Sequence, residues 1–266
     1  MPEIRDADAA VRYIVSRGIL LFLPCGVPGF SLYENMEPEL FETDVKSLNP
    51  WYWRFEFAYE DDLFYGQFFD GRLGFVRRDL FPAFAALRRG GRTTEAMLES
   101  DDLTDDAKTF YRALPAFAEW TLPETMTRVP PLETRLETIA KELQTKTLLF
   151  TSGFRYKRKK TGEEYGWPAS LYARPDEEFD EPLEDLFAPR DEALAILREA
   201  TGWSALDEAN RRRLDELLLG KPKKIRPEGR SPRTQRIGKD FGRQPQCGVV
   251  DATASSRSAS TRAGRV

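Results

Sequence analysis

The run Arg155-Tyr156-Lys157-Arg158-Lys159-Lys160 places five cations in six positions, between two stretches that read as strands. On the near side stands Thr147-Leu148-Leu149-Phe150-Thr151-Ser152. On the far side, beyond Thr161-Gly162, comes Tyr165 through Arg174. A hairpin with that charge at its tip suits a phosphate backbone, because guanidinium and ammonium groups neutralise phosphates and release counterions. It does not suit a protein core, where an unpaired charge is costly.

Three helical segments precede the hairpin. Thr104 opens the first, with Ala107, Phe110, Tyr111 and Leu114 on one stripe. Thr121-Leu122-Pro123-Glu124 is a capping box with proline in the first turn, and it starts a short second helix that ends before Val129-Pro130-Pro131. The third is predicted over Leu132 to about Lys146, with Leu132, Leu136, Ile139, Ala140 and Leu143 at helical spacing. Helix, helix, helix and basic hairpin is the order of a winged helix-turn-helix, predicted over residues 103–174. The exposed face of the third helix carries Arg135, Lys141 and Lys146 but also Glu133, Glu137 and Glu142, a poor balance for a major-groove reader. A small helical domain with a charged surface is the competing expectation.

Residues 1–102 form an aromatic-rich region. Asp6 or Asp8 can cap a first helix bearing Val11, Ile14 and Val15, stopped by Gly18, and Ile19–Leu23 then reads as a buried strand. Between Trp51 and Phe84 there are thirteen aromatics, with Trp51, Trp53, Phe55, Phe57 and Tyr59 in alternation. That period of two predicts a strand with one aromatic face. Such a stripe is more often core than a platform for stacking bases, and Glu60, Asp61 and Asp62 argue against a nucleic-acid surface at that end. Asp70-Gly71 predicts a hairpin joining 62–69 to 71–76, and Asp79 is expected to cap a short helix over Leu80–Arg88. After the wing, residues 175–220 hold an acidic loop and two helices, Asp191–Ala200 and Ala205–Leu219. Residues 221–266 are expected to be a disordered basic tail.

Charge is unevenly spread. The chain of 266 residues has net charge −4, yet from Lys221 onward twelve Lys or Arg face three acids, so residues 1–220 carry about −13. An acidic body repels DNA, so contact must come from a local patch such as the hairpin. There is no histidine, and the two cysteines, Cys25 and Cys247, are far apart in sequence. Histidine-dependent nucleophiles and thiolate zinc sites are thereby excluded. The run Gly18–Cys25 is too short and too acidic upstream for an export signal, and no stretch reaches membrane-spanning length, so a cytoplasmic protein is expected.

With these elements in place the chain resembles the winged-helix proteins related to the AlkZ-type DNA glycosylases, most closely the shorter AlkZ-related bacterial proteins, from about Ala9 to Glu199. The resemblance rests on Ala10-Val11-x-Tyr13-Ile14, on Gly18 with its apolar strand, and on Trp51-x-Trp53. Phe64-Tyr65-Gly66, Phe81-Pro82-x-Phe84 and Lys141-Glu142-Leu143-Gln144 before the wing complete it. It implies relatives that remove alkylated or crosslinked bases using a Gln-x-Gln or Gln-x-Asp pair after the glycine that follows the first helix. Leu21 and Leu23 fall at those positions here, and leucine cannot hold a water or stabilise developing positive charge.

The expected fold is therefore α+β, with aromatic-rich antiparallel strands, a winged helix-turn-helix and C-terminal helices. The expected function is binding of double-stranded DNA through Arg135, Lys141 and Lys146 on the third helix and Arg155, Lys157, Arg158, Lys159 and Lys160 on the wing. No metal, cofactor or membrane is expected to take part. The alternatives are a divergent glycosylase using a carboxylate such as Glu56 or Asp62, and a protein-interaction module whose wing meets an acidic partner.

Overall fold

Asp6 accepts a hydrogen bond from the Ala9 N–H at 2.7 Å and so starts α1 (Ala7–Arg17), which stops at Gly18 with φ 70°. A computed structural model describes residues 4–125 and 127–220; the expectation of a disordered tail over 221–266 lies outside them. The architecture is mixed α+β. Strand β1 (Ile19–Leu21) is shorter than expected. The chain leaves the ladder after Phe22, and Leu23, predicted to be buried, is 41% exposed. Pro24 follows it and has no N–H to continue the pairing.

The alternating aromatics form a helix, not a strand. Asn49 caps α2 (Pro50–Phe57) by accepting from the Trp51 N–H at 2.9 Å, and Pro50 occupies its first turn. Aromatics placed all round a short helix satisfy a period of two as well as 3.6, so the alternation misled. Pro50, Trp53 and Phe57, at helical spacing, make the buried face.

Strands β2 (Leu63–Phe69) and β3 (Arg72–Arg77) form the expected hairpin, and the sheet order is β1-β3-β2, all antiparallel. Asp70 and Gly71, at φ 54° and 85°, make its turn. Both faces of the sheet are covered. Leu20, Tyr65 and Phe75 pack with Ile14, Trp53 and Phe57, while Ile19, Leu21, Phe64 and Val76 pack beneath α3 (Phe81–Arg89). That is why these strands read as continuous apolar runs. Asp79 does not cap α3. Its carboxylate pairs with Arg77 at 2.6 Å, and the helix starts at Phe81 with Pro82 in its first turn.

A third cluster lies among α4 (Thr94–Glu99), α5 (Asp105–Ala113), the single-turn α6 (Leu122–Thr125) and α7 (Leu136–Thr145). Thr104 caps as expected, and of the Thr121/Glu124 box the Glu124 half forms, its carboxylate accepting from the Thr121 N–H at 2.8 Å. The third helix starts four residues late, at Leu136 with Arg135 extended at its N-cap, and Asp106 accepts the Thr134 N–H just before it at 2.7 Å. Strands β4 (Phe150–Arg158) and β5 (Glu164–Ala173) make a separate two-stranded sheet, and Trp120, between α5 and α6, bridges antiparallel to Tyr172 on β5. Helices α8 (Arg190–Ala200) and α9 (Glu208–Leu219) then pack back on α3.

Two buried arginines of α3 clamp these parts. Arg88 donates to the Leu217 carbonyl of α9 at 2.5 Å and faces Asp70 at 3.6 Å; burial pulls its guanidinium down to about 10. Arg89, fully buried, donates to the Thr147 carbonyl at 2.6 Å, to Thr94 Oγ1 at 3.0 Å and to Asp176 at 2.7 Å. Breaking a buried pair leaves its partner uncompensated. Because Asp176 keeps 21% of its side chain in solvent, Arg89→Met should destabilise by roughly 2–4 kcal/mol, below the full penalty of a buried pair. Urea unfolding measures it, and a change under about 0.5 kcal/mol, the scale of an ordinary surface substitution, would show that the clamp contributes nothing.

Candidate nucleic-acid interface

The strands run further out than expected, so Arg155, Lys157 and Arg158 lie on β4 and only Lys159 and Lys160 belong to the turn. The Gly162 N–H donates to the Lys159 carbonyl and the Lys159 N–H to the Glu163 carbonyl, closing that turn with Gly162 at φ 85°. All five cations are exposed, but their freedom differs. Arg155 donates to Glu124 at 2.5 Å, Arg158 to Glu164 at 3.1 Å and Lys159 to Glu163 at 2.9 Å. Lys157 and Lys160 enter no ion pair among the described residues. Five cations and two carboxylates leave residues 155–164 at net charge +3.

Glu124 was legible as a cap but not as a tether. Its carboxylate accepts from the Thr121 N–H and then from Arg155, and both bonds, the cap first, hold its carboxyl below the ordinary range. The pair is half exposed at both ends, so it is worth little energy but fixes β4 beside α6.

The remaining predicted contacts lie on α7. Arg135 is exposed at its N-cap; Lys141 is exposed with its side chain across the β2–β3 turn, where a Cβ on Gly71 would fall 1.8 Å from Lys141 Cε. Lys146 is half-buried at the C-cap. Of the three glutamates on this helix region, Glu142 is bound to Thr104 through its N–H at 2.7 Å and its hydroxyl at 2.8 Å, while Glu133 and Glu137 are exposed.

The base of the hairpin is seated on α2 by aromatic residues, which the sequence reading assigned to other places. Tyr59 Oη accepts from the Phe154 N–H at 2.9 Å and donates to the Phe154 carbonyl at 2.7 Å, and a Cβ on Gly153 would fall 2.7 Å from the Tyr59 ring. Phe55 meets Phe154 with ring centroids 4.7 Å apart, and Trp167 stacks on Tyr52 at 5.4 Å. The sequence signal for Trp167 was Gly166 and Pro168 inside a strand, a mark of a bulge.

Past α2 and Tyr59 the chain turns acidic. Burial, then repulsion from Asp8, Asp61, Asp62 and Glu56, raises the Glu60 carboxyl above its ordinary range. Glu56 and Asp62, the alternative catalytic carboxylates, are exposed, and no group of three potential ligands capable of holding a metal exists among the described residues. Leu21 is fully buried, with its N–H on Phe30 and its carbonyl on Leu32. No helix among the described residues is long and apolar enough to cross a membrane.

No curated protein and no solved structure matches this chain. A sequence profile of the family described as AlkZ related matches residues 4–217, from before α1 to near the end of α9. The chain belongs to the AlkZ-related family.

Proposed function

We propose that this protein binds duplex DNA through a winged helix-turn-helix whose wing is the β4–β5 hairpin, and that it lacks the base-excision chemistry of the AlkZ-type glycosylases. The order α5, the Trp120 bridge, α6, α7, β4, β5 supports the winged-helix reading, with Trp120 supplying the third, minimal strand. Family membership supports a role on DNA. The observation that carries the proposal is the state of the hairpin cations. Lys157 and Lys160 are free for phosphate, while Arg158 and Lys159 sit in exposed pairs that a phosphate can displace at little cost. Arg135, Lys141 and Lys146 add flanking contacts, and Arg155 chiefly aligns β4 through Glu124.

Reversing Lys157, Arg158, Lys159 and Lys160 to glutamate in a chain ending at Gly220, the last described residue, should abolish duplex binding. Each lost phosphate contact should flatten the slope of log affinity against log salt by about 0.9. Neutralising the competing acids with Glu163→Gln and Glu164→Gln should tighten binding. Fluorescence anisotropy across a salt series reads both, and unchanged affinity in the fourfold variant would remove the hairpin as the binding surface.

Leu21 supports the non-catalytic half of the proposal, because a side chain buried in the core cannot reach a sugar. Losing one preorganised polar group typically costs about a hundred- to a thousandfold, so losing two should leave little activity. One observation favours a divergent enzyme instead: Asp62 lines an open cleft of about 710 Å³ together with Arg77, Arg78 and Phe179. Duplex carrying 7-methylguanine, incubated with the protein and then treated to cleave abasic sites, should show no strand breaks above a protein-free control. Breaks that Asp62→Asn or Glu56→Gln abolishes would establish the enzyme reading.

A further inference from the structure

The hairpin carries an irregularity that charge alone does not explain. Arg155 pairs with Ala169 and Lys157 with Tyr165, so β4 advances two residues while β5 advances four. The extra length holds Gly166 at φ 72°, Trp167 and Pro168. Bulges of this kind re-aim a side chain, and the side chain here is Trp167.

Trp167 is 56% exposed, in a chain that buries Trp53 and Trp120 almost completely. Its ring is nevertheless held from behind. Tyr52 stacks on it at 22° between planes, Phe55 meets it edge-on at 5.7 Å, and the Arg54 guanidinium lies 5.5 Å from its centroid. The arrangement leaves a wide aromatic surface in solvent, fixed against α2 and sharing the hairpin with the cations. Positive charge borders it. Lys157 pairs across the strands with Tyr165, itself 46% exposed, and the Lys46 ammonium stands 5.5 Å over the Tyr52 ring.

An apolar protein partner gains nothing from bordering cations, whereas a nucleic acid needs both elements: rings for its bases and cations for its phosphates. A closed duplex hides its base faces in its own stack. We infer that Trp167, backed by Tyr52, is a stacking ledge for an unpaired base of DNA, so that the hairpin prefers duplex flanked by single strand over blunt duplex. This inference rests on the proposed DNA-binding role and adds the class of DNA to it.

The test compares the full chain on a blunt duplex and on the same duplex bearing a single-stranded thymine overhang, by fluorescence anisotropy at fixed salt. Wild-type protein should bind the overhang DNA at least about fivefold more tightly, the low end of one base stacked on an aromatic ring. Trp167→Ala should erase that preference, read as the ratio of the two affinities within the variant; Tyr52→Ala should reduce the ratio and Trp167→Phe should keep most of it. Equal wild-type affinity for the two DNAs, or a preference that survives Trp167→Ala, overturns the ledge and leaves the duplex-binding hairpin standing. Binding to neither DNA overturns both.

Discussion

Gln144 makes the contact on which the placement of the hairpin depends. A bulge in β2 after Gly66 leaves the Gln67 N–H outside the ladder, and the side-chain carbonyl of Gln144, 1% exposed, accepts it at 3.0 Å. The same oxygen accepts from Thr151 on β4 at 3.3 Å, and the amide nitrogen donates to the Ala140 carbonyl at 3.2 Å. One buried amide therefore joins the sheet, α7 and the first strand of the hairpin. Leaving such a donor unsatisfied costs about 1–3 kcal/mol, so the arrangement is strongly preferred. Glycine at 66 is needed for the approach, since a Cβ there would lie 2.7 Å from the Gln144 oxygen.

That junction matters because the molecule is otherwise acidic. Tyr59, just past α2, ties the hairpin at Phe154, and the acids Glu60, Asp61 and Asp62 follow it in the chain. The exposed ion pairs on the hairpin neutralise part of its charge.

Much of this was legible. Caps at Asp6, Thr104 and Glu124, the Asp70-Gly71 turn and the helix–helix–helix–hairpin order are local signals, and local signals survive folding. What failed depended on partners distant in sequence or on ambiguous period. Asn49-Pro50 outweighed the alternation of α2, and α7 begins only at Leu136, after a segment tied to Asp106 of α5. Counting cations also overstated the free charge, because Glu124, Glu163 and Glu164 pair with three of them. The ledge at Trp167 was invisible because it requires α2 and β5 to meet.

Amide hydrogen exchange with and without DNA locates the DNA-binding surface, because it maps where the nucleic acid lands without altering the protein. Backbone amides shielded by a bound strand exchange more slowly. Slowed exchange should concentrate in peptides covering residues 153–168, extend to α2 at residues 50–56, and leave α8 and α9 unchanged. Protection centred on the cleft around Asp62 and Arg78, with none on the hairpin, would contradict the account.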